Sequence, residues 1–211
     1  ISARLMADLF KTAGADRLMS VDLHAAQTQG FFDGPVDHLF AMTTLVDYVR
    51  TRIDVSNVVV VSPDAGRIRV AEQWAAKLGG CPLAFVHKTR DITRPNSAHA
   101  NRVVGEVAGK DCVLVDDLID TGGTIAEGVR VLRENGAHSV TIVATHGVLS
   151  EPATRRLVEC GALEVVVTDT LPIPREKRFP GLTVLSIAPL LARAIREVFD
   201  EGSVTSLFDG N

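Results

Sequence analysis

The sequence predicts an α/β fold, an open, mostly parallel sheet with helices on both faces. Three observations carry this. Short runs rich in Val and Ile recur along the chain, continuously apolar rather than alternating, which is the pattern of strands buried on both faces. Helix-patterned segments lie between them, and alternation of strand with helix marks a doubly wound α/β domain. Glycines at Gly14, Gly79–Gly80, Gly136 and Gly161 stand where those helices should close.

In chain order the strand candidates are RLMSVDL (17–23), NVVVVSPD (57–64), LAFVHK (83–88), CVLVDD (112–117), SVTIVATH (139–146), EVVVTD (164–169) and LTVLSIA (182–188). A further run, RVVGEV (102–107), is also strand-like. Ile68, Ala71, Ala75 and Leu78 recur at helical spacing within 67–78. Leu190, Leu191, Ala194, Ile195, Val198 and Phe199 form a similar stripe in 189–199. The segment HKTRDITRPNSAHAN (87–101) breaks the rhythm: it is polar, holds Pro95 and has no apolar period. A long connection of this kind is either a plain connector or a functional lid. Lys88 and Arg90 at its entry favour the lid.

The 211 residues are 46% hydrophobic and 23% charged, which suits one large globular domain with or without appendages. A net charge of −4 gives no basic face for nucleic acid. Cys81, Cys112 and Cys160 are far apart and odd in number. They read as small buried hydrophobes in a reducing compartment rather than a disulfide framework or metal site. No apolar stretch reaches the length of a membrane span, and no signal peptide is present, so a cytoplasmic protein is expected. That absence weighs little, because the chain begins at Ile1 without an initiator Met.

The stretch CVLVDDLIDTGGTI (112–125) carries the chemistry. In an open parallel sheet, ligands bind beyond the carboxyl ends of the strands. Asp116 and Asp117 end a strand and belong at that edge. Asp120, Thr121, Gly122, Gly123 and Thr124 would form a turn into a helix beginning near Ile125. A glycine-rich turn at a helix N-terminus presents backbone N–H groups and the positive dipole end, a cradle for phosphate. No Lys follows in a P-loop pattern, so a nucleotide's β/γ pair is not the expected occupant. Adjacent carboxylates accept hydrogen bonds from vicinal hydroxyls, so phosphate plus hydroxyls reads as a phosphorylated sugar. The plainer alternative is a helix N-cap at Asp120 or Thr121.

VLVDDLIDTGGT resembles the phosphoribosyl-diphosphate loop of the type I phosphoribosyltransferase fold. SVDLHAAQTQGFFDGPVDHL (20–39) resembles the signature of ribose-phosphate diphosphokinases, and SPDAGRIRVAEQWA, HKTR and ATHGVLSEPA match in the same order, in an actinobacterial form. Thr28 departs from the family's usual aliphatic residue. The resemblance implies transfer of the β,γ-diphosphoryl group of Mg-ATP to the anomeric hydroxyl of ribose 5-phosphate, releasing AMP. It implies that Asp116, with its neighbour Asp117, holds ribose hydroxyls, that Asp120 to Thr124 bind the 5-phosphate, and that His24 and Asp64 serve Mg2+. It makes Lys88 and Arg90 the catalytic cations, with Arg90 also near the sugar phosphate. It further implies dimers assembled into hexamers, with an ADP/phosphate regulatory site to which Ser203, Val204, Thr205 and Phe208 contribute; a frayed terminal strand is the plainer reading of 203–208. Family chains are longer at the N-terminus, so residues 1–14 are expected to be a helix left from a missing domain that carries most adenine contacts. Residues 15–211 would then be the catalytic domain, and the chain alone would bind the sugar phosphate without turnover. Two alternatives remain: a phosphoribosyltransferase, which shares the 112–125 loop, and a non-catalytic regulatory subunit, which should have a disrupted lid.

Overall fold

The computed structural model describes residues 2–89 and 100–209. Its elements run α1 (Ser2–Thr12), β1 (Leu18–Val21), β2 (Val36–Leu39), α2 (Met42–Arg52), β3 (Val58–Ser62), α3 (Ile68–Lys77), β4 (Leu83–Thr89), β5 (Ala100–Val104), β6 (Asp111–Ile119), α4 (Gly123–Glu134), β7 (Ser139–Gly147), α5 (Ala153–Glu159), β8 (Glu164–Thr168), β9 (Leu182–Leu185), α6 (Ala188–Phe199) and α7 (Ser206–Asp209). The chain divides into two compact units, one of residues 44–185 and one of residues 1–43 with 186–211.

Unit 44–185 holds a seven-stranded sheet in the order β5-β4-β3-β6-β7-β8-β9. Every neighbouring pair is parallel except β4 with β5. The order explains the layers. From β3 the chain moves outward to β4 and from β6 the opposite way to β7, so right-handed crossovers put α3 and α4 on opposite faces. On one face Val59, Val61, Leu114, Ile142 and Val167 cluster with Ile125, Val129 and Leu132 of α4 and Leu157 of α5. The alternate residues Val58, Val60, Val113, Val115, Val143 and Val166 are also buried, and the two-residue period of a strand turns them to the other face. There α3 lies against β3 and β4 and buries Ala71, Trp74 and Ala75. Both faces are therefore covered, as the continuous apolar runs predict. Cys112 sits in this core, and burial pushes its thiol up to about 12. All three cysteines are free thiols.

Three expectations change. The 17–23 run is a strand, but it pairs in parallel with β2, from Leu18↔Val36 to Val21↔Leu39, in a separate two-stranded sheet of the other unit. Its residues are half-buried, whereas all five of β3 are buried; Arg17, Ser20 and Asp22 make it unsuited to a two-sided core. The polar 87–101 segment is also shorter as a connection than its composition suggests. An antiparallel ladder runs into it, pairing His87↔Arg102, Lys88↔Asn101 and Thr89↔Ala100. Backbone pairing at a sheet edge does not need apolar side chains, so polarity concealed the strand ends. The expected 102–107 strand ends at Val104, because Gly105 turns at φ +111° with its Cα so near β4 that a Cβ would lie 2.7 Å from Ala84 Cβ.

Candidate sugar-phosphate site

The switch in crossover direction between β3 and β6 opens a crevice at their carboxyl ends, the place where open α/β sheets bind ligands. β6 pairs with β3 only as far as Val61↔Leu114 but with β7 as far as Ile119↔Gly147. Among the described residues, the edge of β6 toward β3 has no strand partner beyond Leu114, and Asp116 and Asp117 lie on that stretch. They lie three and two residues before the strand's end rather than at it. The motif 144–153 supports this extension: Leu149 N–H donates to the Ile119 carbonyl at 3.0 Å, and Lys177 Nζ donates to the Val148 carbonyl at 2.9 Å.

The two carboxylates are electrostatically unlike. Arg67, on the turn after β3, donates from Nη2 to Asp117 Oδ2 at 2.6 Å, while its Nε stands 3.8 Å from Asp116 Oδ1. Asp116 Oδ1 accepts the Asp117 N–H at 2.8 Å. Burial pushes the Asp116 carboxyl up to about 7, its neighbour Asp117 adds to the rise, and Arg67 opposes it. The result is one paired carboxylate beside one that ionises only near neutrality.

After Ile119 the chain bends at Asp120 and Thr121, both exposed, and enters α4. The helix starts at Gly123, two residues before the expected start. Its N-cap is Gly122, at φ +69°, with no side-chain cap bond; a residue with a Cβ is strained in this left-handed conformation. Neither Asp120 nor Thr121 is the cap, so the plainer reading of the motif does not hold here. Gly123 and Thr124 form the first helical turn, where N–H groups have no intrahelical acceptor. Arg156, from α5, donates from Nη1 to the Thr121 carbonyl at 3.0 Å, and a Cβ on Gly123 would lie 3.3 Å from the same nitrogen. The turn is thus bound to α5 by a cation.

Asp64 follows β3 at the same end of the sheet. Its Oδ1 accepts the Gly66 N–H at 2.8 Å, and Ser62 Oγ donates to its carbonyl at 2.6 Å. That is the turn role a Pro-Asp sequence supports, and it leaves a half-buried carboxylate beside the crevice. Lys88 lies in β4 by its backbone; Arg90 lies outside the described residues. His24 belongs to the other unit, exposed just after β1. The backbone before it is held by Asp22 Oδ2, which accepts the Ala41 N–H at 3.0 Å, and by His38 Nε2, which accepts the Leu23 N–H at 2.9 Å. In the same unit 203–208 is a turn leading into α7 rather than a strand: Ser203 Oγ and Thr205 Oγ1 are 2.7 Å apart, and the Phe208 ring meets Phe40 edge-on at 5.5 Å. Among the described residues no three His, Cys, Asp or Glu side chains gather as a metal cage. An oxygen-ligated ion that keeps its waters needs no such cage.

Sequence reasoning places Asp64, Asp116, Asp117 and the 120–124 turn in one unit at one sheet end, as the structure does. It misses Arg67 and Arg156. Arg67 lies in the SPDAGRIRVAEQWA motif, but its partners are 50 positions away, and no local pattern announces them. Arg156 reads as one of several charges on a short helix.

Comparison with known proteins is consistent with this geometry. The ribose-phosphate pyrophosphokinase of Bifidobacterium longum is 76% identical over 211 residues, which is 99% of this chain and 62% of the relative. That of Mycobacterium tuberculosis is 65% identical over 100% of this chain and 65% of the relative. The chain therefore spans somewhat under two thirds of the length of the curated relatives it matches. The crystal structure of phosphoribosylpyrophosphate synthetase from Mycobacterium smegmatis superposes with a TM-score of 0.87 at 64% identity, covering 95% of this chain and 64% of that one, so the open sheet is a shared fold. No helix among the described residues is long and apolar enough to cross a membrane. The profile of the phosphoribosyl synthetase-associated domain matches residues 93–209, more than half of the chain, and the chain belongs to that family.

Proposed function

We propose that this chain supplies the sugar-phosphate half of a ribose-phosphate diphosphokinase, which makes 5-phosphoribosyl 1-diphosphate and AMP from ribose 5-phosphate and Mg-ATP. The observation that carries this is the continuity of two unlike features. A carboxylate pair on the open edge of β6 leads, within a few residues, into a glycine-capped helix N-terminus. The first suits vicinal hydroxyls and the second a phosphate. The high identity to ribose-phosphate pyrophosphokinases supports the same reading.

In the reaction the anomeric oxygen forms a bond to the β-phosphorus. The bond from that phosphorus to the oxygen bridging the α-phosphate breaks, AMP leaves with that oxygen, and the hydroxyl proton is released. Asp116, with Asp117 beside it completing the carboxylate pair, accepts hydrogen bonds from the ribose hydroxyls and fixes the ring. Asp120, Thr121, Gly122, Gly123 and Thr124 hold the 5-phosphate on backbone N–H groups and hydroxyls. Lys88 and Arg90 offset charge that grows on the transferring phosphoryl oxygens; such positioning and electrostatics account for most catalysis of phosphoryl transfer. Asp64 would hold one magnesium near the ribose and His24 would help place another at the ATP phosphates, where magnesium would neutralise charge on the diphosphate. The half-buried Asp64 carboxylate, a hard oxygen donor, fits that ion. Ser203, Val204, Thr205 and Phe208 line a regulatory site for ADP or phosphate in a hexamer built of dimers, and the protein works in the cytoplasm.

The test is AMP release by the intact protein, with ATP and magnesium, as ribose 5-phosphate is varied. Saturable release that requires the sugar phosphate is expected. Release of free diphosphate from 5-phosphoribosyl 1-diphosphate with a purine or orotate, and no use of ATP, would instead establish a phosphoribosyltransferase. No turnover in either assay, with tight binding to an active homologue, would establish a regulatory subunit.

A further inference from the structure

We infer that Arg67 is a positioning residue for the sugar site, clamping Asp117 so that the neighbouring Asp116 is the carboxylate offered to the ribose hydroxyls. This rests on the sugar-phosphate reading above. Successive residues of a strand face opposite ways, so Asp116 and Asp117 cannot both be aimed by β6 alone. Arg67 reaches the pair from outside the strand, from the turn between β3 and α3, where β3 has ended and no strand covers β6. It bonds Asp117 at 2.6 Å and stays 3.8 Å from Asp116. The asymmetry matters. A charge-assisted bond to a carboxylate at the first distance is strong and directional, and at the second the attraction is a longer-range field. The side chains of Arg67, Asp116 and Asp117 are only 23%, 17% and 12% exposed, so solvent screens the contact weakly.

Two adjacent carboxylates on one poorly solvated edge repel each other, and a cation bonded to one of them relieves that repulsion. The Asp117 carboxylate is held by Arg67, and Asp116 keeps its Oδ1 on the Asp117 N–H. Other ionisable residues on the surrounding elements include Asp64 on the same turn as Arg67, Arg69 in α3, Lys88 in β4, Asp120 just after β6, His146 on β7 and Arg156 on α5. Among the described contacts, Arg67 forms ion pairs with Asp116 and Asp117.

The experiment compares wild type, Arg67→Lys and Arg67→Gln in the intact protein, by calorimetric titration with ribose 5-phosphate and, separately, inorganic phosphate. Arg67→Gln should weaken the sugar phosphate about tenfold while changing phosphate affinity less than about twofold, and Arg67→Lys should recover part of the loss. Equal weakening of both ligands would mean a merely structural role, and unchanged sugar affinity would mean none; either overturns the inference. If wild-type protein binds ribose 5-phosphate no better than phosphate, the ribose reading has failed, and a ligand-free measurement decides about Arg67. In carbon-detected NMR titrations of the side-chain carboxyls, Asp117 should titrate at higher pH in Arg67→Gln than in wild type. No movement of Asp117 overturns the clamp whatever the ligand proves to be.

Discussion

Asp116 ionises against its surroundings, and that tension makes two measurable statements. Its folded pKa, pushed up to about 7 by burial first and by Asp117 second, lies above the value near 4 of an unfolded chain. The folded protein therefore binds this proton more tightly than the unfolded one. The associated stability is fully present below about pH 4 and is lost as pH rises through about 7. Asp116→Asn removes the ionisation while keeping an oxygen for the Asp117 N–H. The variant should gain melting temperature relative to wild type at pH 8, on the order of several degrees, and little at pH 4.5. It should also lose roughly tenfold or more in ribose 5-phosphate affinity, because an amide accepts hydroxyl protons less strongly than a carboxylate. A constant melting difference across that range would show that Asp116 is ionised normally. Lys88 belongs at the same scale but acts differently. It stands in β4, away from the 120–124 turn in sequence and strand order, so Lys88→Ala should lower turnover of the intact enzyme roughly 10²–10³-fold with little change in sugar affinity. Equal losses in both would make Lys88 a ground-state ligand.

At the scale of elements, the β6–α4 junction shows what sequence can and cannot convey. The apolar half of β6 is legible because Cys112 to Val115 are buried on both faces. The polar half is not. Asp116 and Asp117 look like an end, yet the strand continues to Ile119 because β7 still pairs with it and Leu149 bonds its last carbonyl. The helix start is shifted for a related reason: glycines read as loop, but Gly122 at positive φ is the cap and Gly123 is already helical. The β4 and β5 ends were hidden by polarity, and Arg67 and Arg156 by distance along the chain. Patterns of two and 3.6 residues report burial, whereas these features depend on partners elsewhere. Gly122→Ala tests the junction directly. An added Cβ would meet Ala153 at ordinary contact distance, 3.5 Å or more, so the cost is backbone strain of about 1–2 kcal/mol. That predicts a fall of roughly 2–8 °C in melting temperature, with weaker phosphate binding as the turn shifts. An unchanged melting temperature would mean that the turn has an alternative conformation open to alanine.

For the molecule as a whole, the two units differ in how they can be stabilised. Residues 44–185 are continuous in sequence and include the seven-stranded sheet, α3, α4 and α5, and a core with buried members on five of the strands. The other unit is assembled from two separated segments. Its sheet has two strands, and α1 exposes Leu5, Met6, Leu9 and Phe10. Bringing its two segments together across a long intervening chain costs entropy that contacts within that unit must help offset. Residues 44–185 produced alone should therefore fold cooperatively and retain ribose 5-phosphate affinity within about tenfold of the longer chain. The sugar site argued here, Arg67 with Asp116, Asp117 and the 120–124 turn bound by Arg156, lies inside that segment. Calorimetric titration beside a thermal melt followed by circular dichroism tests both parts. A segment that melts without cooperativity would refute the autonomy of its core. A folded segment binding the sugar phosphate a hundredfold more weakly would remove the sugar site from residues 44–185, and with it the claim that these elements alone position the ligand.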